Sequence, residues 1–273
     1  MSPLPLSPPL KPQLALSRKE LPAGEDYVYE VKLDGFRCLA FVDGEEVFLQ
    51  SRSAKPLGRY FPELVLPPGR YVLDGEIVVR DVDGREDFDA LGQRIHPAAS
   101  RIERLSLETP AMYVVFDLLA HDDESLLERP LAQRRAELER ILADDRFSGA
   151  PVELMQTVAT TREAQPWLEH AEGAIAKELS ASYRPGERKG TFKVKRVRTI
   201  DTVLVGWRPG KEPDTVGAES CIARAMLAPV IGRRASCSQN RICRYSSSAT
   251  VAVSVVIALR MLADGHGPAH PRG

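Results

Sequence analysis

Cysteine is scarce in this sequence and poorly spaced for joint work. There are four cysteines in 273 residues: Cys38 stands far from the others, and Cys221, Cys237 and Cys243 form no Cys-x-x-Cys pair. That suggests neither a disulfide framework nor a zinc site. Long apolar runs are missing too. Thr250 to Leu259 is β-branched and apolar, but it has about half of the ~20 residues a membrane span needs, and Arg260 ends it. Met1 to Pro12 is proline-rich and has no apolar signal core, so a cytoplasmic protein without a membrane partner is expected. No Gly-x-x-x-x-Gly-Lys-Ser/Thr loop is present, which removes the P-loop route to a bound triphosphate.

What the chain does have is the composition of a soluble globular protein, 43% hydrophobic and 27% charged. Its length allows one large domain or two smaller ones. The net charge of −1 conceals a segregation: residues 1–180 hold 21 Lys/Arg against 32 Asp/Glu, residues 181–211 hold 9 against 2, and residues 212–273 hold 7 against 4. A local basic block of this kind is either a solvated face or a track for a nucleic-acid backbone.

Several stretches read clearly as elements. Pro3 to Pro22 reads as an extended arm packed over the domain. Val28 to Asp34 alternates, putting Glu30, Lys32 and Asp34 on one face of a strand with Val31 and Leu33 on the other, and Gly35 then lets the backbone turn. Phe36 to Val42 and Glu46 to Ser51 flank Asp43-Gly44, a hairpin pattern that brings Arg52 back toward Lys32. Tyr71 to Val79 is apolar but interrupted by Asp74-Gly75-Glu76, either a β-turn or a strand whose acids require a cation. Met112 to Leu119 reads as a strand containing Phe116-Asp117. Arg129 to Ala143 reads as an amphipathic helix with Pro130 at its first position, and a second helix runs from a Thr161 cap to Ala171. Glu172 to Lys177 brackets a short apolar strand, and Phe192-Lys193-Val194-Lys195 alternates so that both lysines share a face. Thr202 to Trp207 begins another strand. From Ala218 the character changes, with no lysine after Lys211 and three of the four cysteines.

Lys32, the acids Asp34, Asp74, Glu76 and Glu172, and the late Lys193 and Lys195 together have the parts of a phosphoryl-transfer centre. A lysine amine is a nucleophile only after losing its proton, which desolvation or neighbouring cations promote. Carboxylates are hard ligands for Mg²⁺, which bridges phosphate oxygens and offsets charge on a leaving pyrophosphate.

In order along the chain, Lys32-Leu33-Asp34-Gly35-Phe36-Arg37, Ser51-Arg52, Asp74-Gly75-Glu76, Phe116-Asp117, Glu172-Gly173-Ala174-Ile175-Ala176-Lys177 and Lys193-Val194-Lys195 resemble the six motifs of the ATP-dependent DNA ligases. These belong to the covalent nucleotidyltransferase superfamily, with RNA ligases and capping enzymes. Ser51 to Leu64 and Arg94-Ile95-His96-Pro97 are most similar to the small bacterial end-joining ligases, which favours DNA over RNA. The resemblance implies an α+β fold: a nucleotidyltransferase domain of ATP-grasp-like antiparallel sheets with flanking helices over residues 1–198, and the start of an OB-fold over 199–217. It implies that Lys32 takes AMP from ATP and passes it to a 5′-phosphate at a nick in duplex DNA, which a 3′-hydroxyl then seals in repair or recombination. By the same likeness Glu30 sits at the adenine, Phe116 stacks on it, and Arg37 and Glu76 reach the ribose or phosphate side. Arg52 holds the nick phosphate, Lys193 and Lys195 grip the α-phosphate, and Asp34, Glu76 and Glu172 serve Mg²⁺ or another divalent metal. Arg188 is a looser match to a phosphate-binding arginine.

The partners implied are ATP, nicked double-stranded DNA and end-joining repair proteins, with the chain a monomer. Residues 218–273 depart from the family pattern, and no counterpart of its final basic motif is found there. The expectation is therefore a divergent tail that is not a complete OB-fold, and slowed self-adenylylation. The alternatives are an impaired remnant that binds nucleotide or nicked DNA, and an RNA ligase or capping-type enzyme.

Overall fold

The structure is a computed structural model that describes residues 3–95, 98–209, 216–223 and 250–255, with side chains as far as Arg196. Along the chain the elements are β1 (Leu16–Ser17), β2 (Tyr27–Val31), β3 (Phe36–Gly44), β4 (Glu46–Ser51), β5 (Gly69–Val79), α1 (Phe88–Gly92), α2 (Ala99–Glu108), β6 (Ala111–His121) and β7 (Glu124–Ser125). Then come α3 (Leu131–Leu142), β8 (Val152–Leu154), β9 (Thr157–Val158), α4 (Thr161–His170), β10 (Gly173–Glu178), β11 (Thr191–Lys195), β12 (Val197–Pro209), β13 (Val216–Ala223) and β14 (Thr250–Val255). The chain divides into two compact units, one built on residues up to Arg196 and one holding the strands from Val197 onward.

The first unit carries two sheets. One has the order β1-β11-β10-β2-β9 and the other β4-β3-β5-β6-β7, with β8 beside β6. Neighbours are antiparallel except β1 against β11 and β8 against β6. Strand β3 shows why its sequence is apolar at consecutive positions. Cys38, Ala40 and Val42 enter one core with Leu73, Ile77, Tyr113 and the α3 residues Leu138 and Ile141. Leu39 and Phe41 enter another with Val72, Leu119 and Tyr183, roofed by Leu4, Leu6 and Leu10 of the N-terminal arm. A third cluster of Leu33, Val78, Val114, Phe116 and Met155 backs the cleft described below. The arm thus packs over a sheet face, as its composition predicts.

The hairpin between β3 and β4 forms, with Asp43 opposite Glu46 and Gly44 at φ 66°. No turn forms at Asp74-Gly75. Strand β5 continues through, with its register against β6 shifting between Asp74 and Gly75, because Asp74 meets Arg37 across the sheet and Gly75 leaves room for a neighbour: a Cβ there would sit 2.5 Å from Val114 O.

The alternation expected through Asp34 stops at Val31. Its partner β10 begins at Gly173, whose carbonyl accepts the last bond of the pair, from Lys32 N–H at 3.0 Å. Lys32 and Asp34 therefore lie past the strand end. Helix α3 starts at Leu131 with Pro130 just outside it, and α4 is capped by Thr160, not Thr161, in a reciprocal box with Glu163.

Helices α1 and α2 were not foreseen. They are tied down by Arg94, which is fully buried and donates to Glu63 and to the carbonyls of Tyr60, Leu105 and Thr109. His96 and Pro97 lie outside the described residues.

In the second unit β12 pairs antiparallel with β13 and parallel with β14. Strand β13 crosses the boundary expected at residues 217 and 218, and residues 210–215, 224–249 and 256–273 lie outside the described residues. No helix among the described residues is long and apolar enough to cross a membrane.

Candidate active site

A cleft of about 350 Å³ opens between the two sheets of the first unit. One sheet contributes Glu30 from β2, Ile175 and Lys177 from β10, and Thr191, Lys193 and Lys195 from β11. The other contributes Arg37 from β3, Glu76 from β5, and Phe116 and Asp117 from β6. Lys32, Asp34 and Gly35 line it from the link between β2 and β3, and Arg52, Arg188 and the arm residues Pro12 to Ala15 complete it.

Lys32 is held through its backbone by Gly173 and turns its Nζ to the carbonyl of Leu33 at 3.2 Å. Gly35 follows because a Cβ there would lie 2.4 Å from the carbonyl of Ile77 and 2.7 Å from Cγ of Glu76. A larger residue would push the lysine loop off β5.

The cations gather at one end. The Lys193 amine is lowered below its ordinary range, first by burial and then by Lys195, Arg52, Lys32 and Arg188. The Lys195 amine is lowered by burial and Lys32, against the opposing pull of Glu172 and Asp34. Five cations drawn together around one end of a cleft call for a polyanion.

The other end is aromatic. The Arg37 guanidinium lies 4.4 Å from the centre of the Phe116 ring and the Lys177 amine 4.2 Å from it. Arg37 makes a two-pronged bond to the buried Asp74 carboxylate, 2.6 Å on each arm, and Asp74 also accepts from the Tyr183 hydroxyl at 2.7 Å. Burial alone would lower the Arg37 guanidinium, but Asp74 outweighs it and holds the group firmly charged. Lys177 pairs with the buried Glu30 carboxylate at 2.8 Å. The Glu76 carboxyl is raised to about 7, mainly by burial, with Arg37 and Lys32 opposing the rise.

The structure thus brings Lys32, Glu30, Asp34, Arg37, Arg52, Glu76, Phe116, Lys193 and Lys195 around one cleft. Glu172 stands just outside the lining residues. It is buried at the start of β10, where its carbonyl accepts from Arg196 N–H at 3.2 Å. Among the described residues no three His, Cys, Asp or Glu side chains gather into a ready-made cation site. Asp34 and Glu76, as hard oxygen donors in the cleft, suit a cation bound largely through phosphate oxygens and water, as Mg²⁺ commonly is.

Sequence reading did not single out Gln13 and Tyr183, and it gave Asp117–Arg134 no role. Asp117 and Arg134 form a buried two-pronged pair that fixes β6 to α3. No local pattern marks such residues, because each acts through a partner far along the chain.

An α+β domain with paired antiparallel sheets, a lysine at the strand end and a cationic cleft is a nucleotidyltransferase domain. Residues 12–195 match the family described as "ATP dependent DNA ligase domain". DNA ligase C2 of Mycolicibacterium smegmatis is 45% identical over 226 residues, covering 79% of this chain and 62% of the relative. DNA ligase C of Mycobacterium tuberculosis is 44% identical over 230 residues, with 79% and 62% covered. The solved ligase domain of M. tuberculosis LigD superposes with a TM-score of 0.58 at 28% identity, covering 78% of this chain and 68% of that one. A mycobacterial DNA ligase D complexed with ATP and MES gives 0.57 at 27% identity, with 78% and 67% covered. This chain belongs to the ATP-dependent DNA ligase family. It spans 62% of the length of the two curated relatives.

Proposed function

We propose that the chain seals nicks in duplex DNA through a lysyl-AMP intermediate on Lys32. The observation that carries this is the joint placement of Lys32, the lowered amines of Lys193 and Lys195, and the Phe116 ring in a single cleft. Lys32 Nζ, once deprotonated, attacks the α-phosphorus of ATP, forming an N–P bond as the bond to pyrophosphate breaks. A 5′-phosphate oxygen of the nick then attacks the same phosphorus and releases the lysine. The 3′-hydroxyl last displaces AMP and closes the phosphodiester.

In this reading Phe116 stacks on the adenine, which takes the place of a cation on the ring, and Glu30 lies at the edge of the base. Arg37 and Glu76 serve the ribose side, Lys193 and Lys195 the α-phosphate, and Arg52 the nick phosphate. Asp34, Glu76 and Glu172 would hold Mg²⁺, which when bound offsets charge on the departing pyrophosphate. Residues 1–198 act as the adenylation domain and 199–217 open an OB-fold. The likeness of Ser51 to Leu64 to small end-joining ligases supports a role in DNA repair.

The test is incubation with α-labelled ATP and Mg²⁺, then mass spectrometry of the protein. AMP is expected on Lys32, with Lys32→Ala unlabelled but melting at the wild-type temperature. Label on another residue, or undiminished label in the variant, overturns the assignment. A nick already bearing 5′-AMP, supplied without ATP, should be sealed by the wild-type chain, and failure there would remove the later steps from the proposal.

A further inference from the structure

The segment from Arg184 to Gly190 brings Arg188 to the cleft but belongs to no strand, and much of what holds it comes from the other end of the chain. Gly186 N–H donates to Pro12 O and Leu14 N–H to Glu187 O, so the arm and this loop run side by side. Gln13 lies between those contacts. Its side chain is all but buried, and each of its polar atoms is used: Oε1 accepts from Arg184 N–H at 2.7 Å, and Nε2 donates to Lys189 O at 2.7 Å and Thr191 Oγ1 at 2.9 Å. The amide therefore grips both ends of the loop and the first residue of β11. Its backbone does separate work, with the N–H donating to the Tyr183 hydroxyl at 2.8 Å. That hydroxyl belongs to the Asp74–Arg37 network.

We propose that Gln13 is a positioning residue for the phosphate end of the cleft, its side-chain amide setting the loop that presents Arg188 to the triphosphate of ATP. The inference rests on reading the cleft as an ATP site. An amide suits the task because it offers a donor and an acceptor at fixed spacing. Removing it leaves the Arg184 N–H and the Lys189 carbonyl without their buried partner, and the loop gives way while the β-sheet bonds beneath it remain. The consequence is selective. Arg188 loses its place, but the base end, built on Phe116, Glu30 and the Gln13 backbone contact to Tyr183, does not.

The experiment is equilibrium binding of ATP and of adenosine to the full chain, using wild type, Gln13→Leu, Gln13→Glu, Arg188→Ala and the Gln13→Leu/Arg188→Ala double variant. Gln13→Leu is expected to weaken ATP about tenfold, the scale of one lost charge-assisted contact, while adenosine binding stays within twofold. Gln13→Glu keeps the acceptor for Arg184 but turns a carboxylate oxygen onto the Lys189 carbonyl, and should weaken ATP at least as much. In the Arg188→Ala background Gln13→Leu should add nothing. Equal weakening of ATP and adenosine, or effects that simply add, would mean that Gln13 only supports the fold. Unchanged ATP binding in Gln13→Leu overturns the proposal while leaving the nucleotide site standing. Absence of ATP binding in wild type removes the site itself, and the proposal with it.

Discussion

Burial lifts the Glu76 carboxyl to about 7, over the opposing pull of Arg37 and Lys32 and with Asp74 adding to the rise. The folded state therefore binds this proton more tightly than the unfolded chain does. Between the unfolded value of 4.5 and the folded value of about 7, the native protein holds more protons, so stability falls as pH rises. Glu76→Gln should lack this contribution, although Glu86, also raised by burial, keeps some pH dependence in both proteins. The difference in unfolding free energy between wild type and variant should shift by up to about 3 kcal/mol from pH 4.5 to 7, measured by urea denaturation at each pH. A parallel pair of curves would mean that Glu76 titrates normally. Asp74 offers the complementary case. It is fully buried and satisfies Arg37 and Tyr183 at once, so Asp74→Ala should cost about 1–3 kcal/mol by leaving the buried Tyr183 hydroxyl and the partly exposed Arg37 guanidinium without their acceptor. Adding Arg37→Met to it should cost much less than the two single changes summed, which a double-mutant cycle reads directly.

At the scale of elements, the site depends on where strands stop. Strand β2 ends at Val31 because β10 begins at Gly173, and Lys32 hangs from that last bond. Gly173 has φ 134°, and a Cβ on it would lie 2.1 Å from the carbonyl of Val194, between the two cleft lysines of β11. Gly173→Ala should therefore strain the backbone and part β10 from β11, costing several kcal/mol and lowering the melting temperature. If the variant melts as wild type does, the close approach of β10 to β11 is wrong. The same geometry explains how the sequence misled. Alternation through Asp34 is real as a pattern, but strand length is set by the partner's first residue, which lies some 140 positions away.

For the whole molecule, the charge segregation has a counterpart in the fold: Lys193, Lys195 and Arg188 of the basic block line the cleft, and Arg196 and Arg198 follow them along the chain. Nicked DNA bound through this block should weaken steeply as salt rises, because counterions are released from the phosphates. Neutralising both Arg196 and Arg198 should flatten the plot of log affinity against log salt by about two units of slope. An unchanged slope would move the DNA track elsewhere on the molecule.

The six motifs and their order were legible through their resemblance to the ligase family. The Asp43-Gly44 hairpin and the packing of the proline-rich arm were legible from local chemistry: turn residues between two β-rich runs, and prolines where no helix forms. Lys32, Lys193 and Lys195 could be named from residue type and alternation, and Arg188 from that resemblance. The continuous course of β5 through Asp74-Gly75-Glu76 could not, because the local options of turn and strand were nearly balanced and Arg37, arriving across the sheet, decided between them. Nor could Gln13 and Tyr183, or the tether that Arg94 makes, whose value lies wholly in partners distant along the chain. The sequence determined which charged and aromatic groups are available to a site. Tertiary structure decided which of them share a cleft and how their charges act on one another, because burial and distance exist only once the sheets have closed.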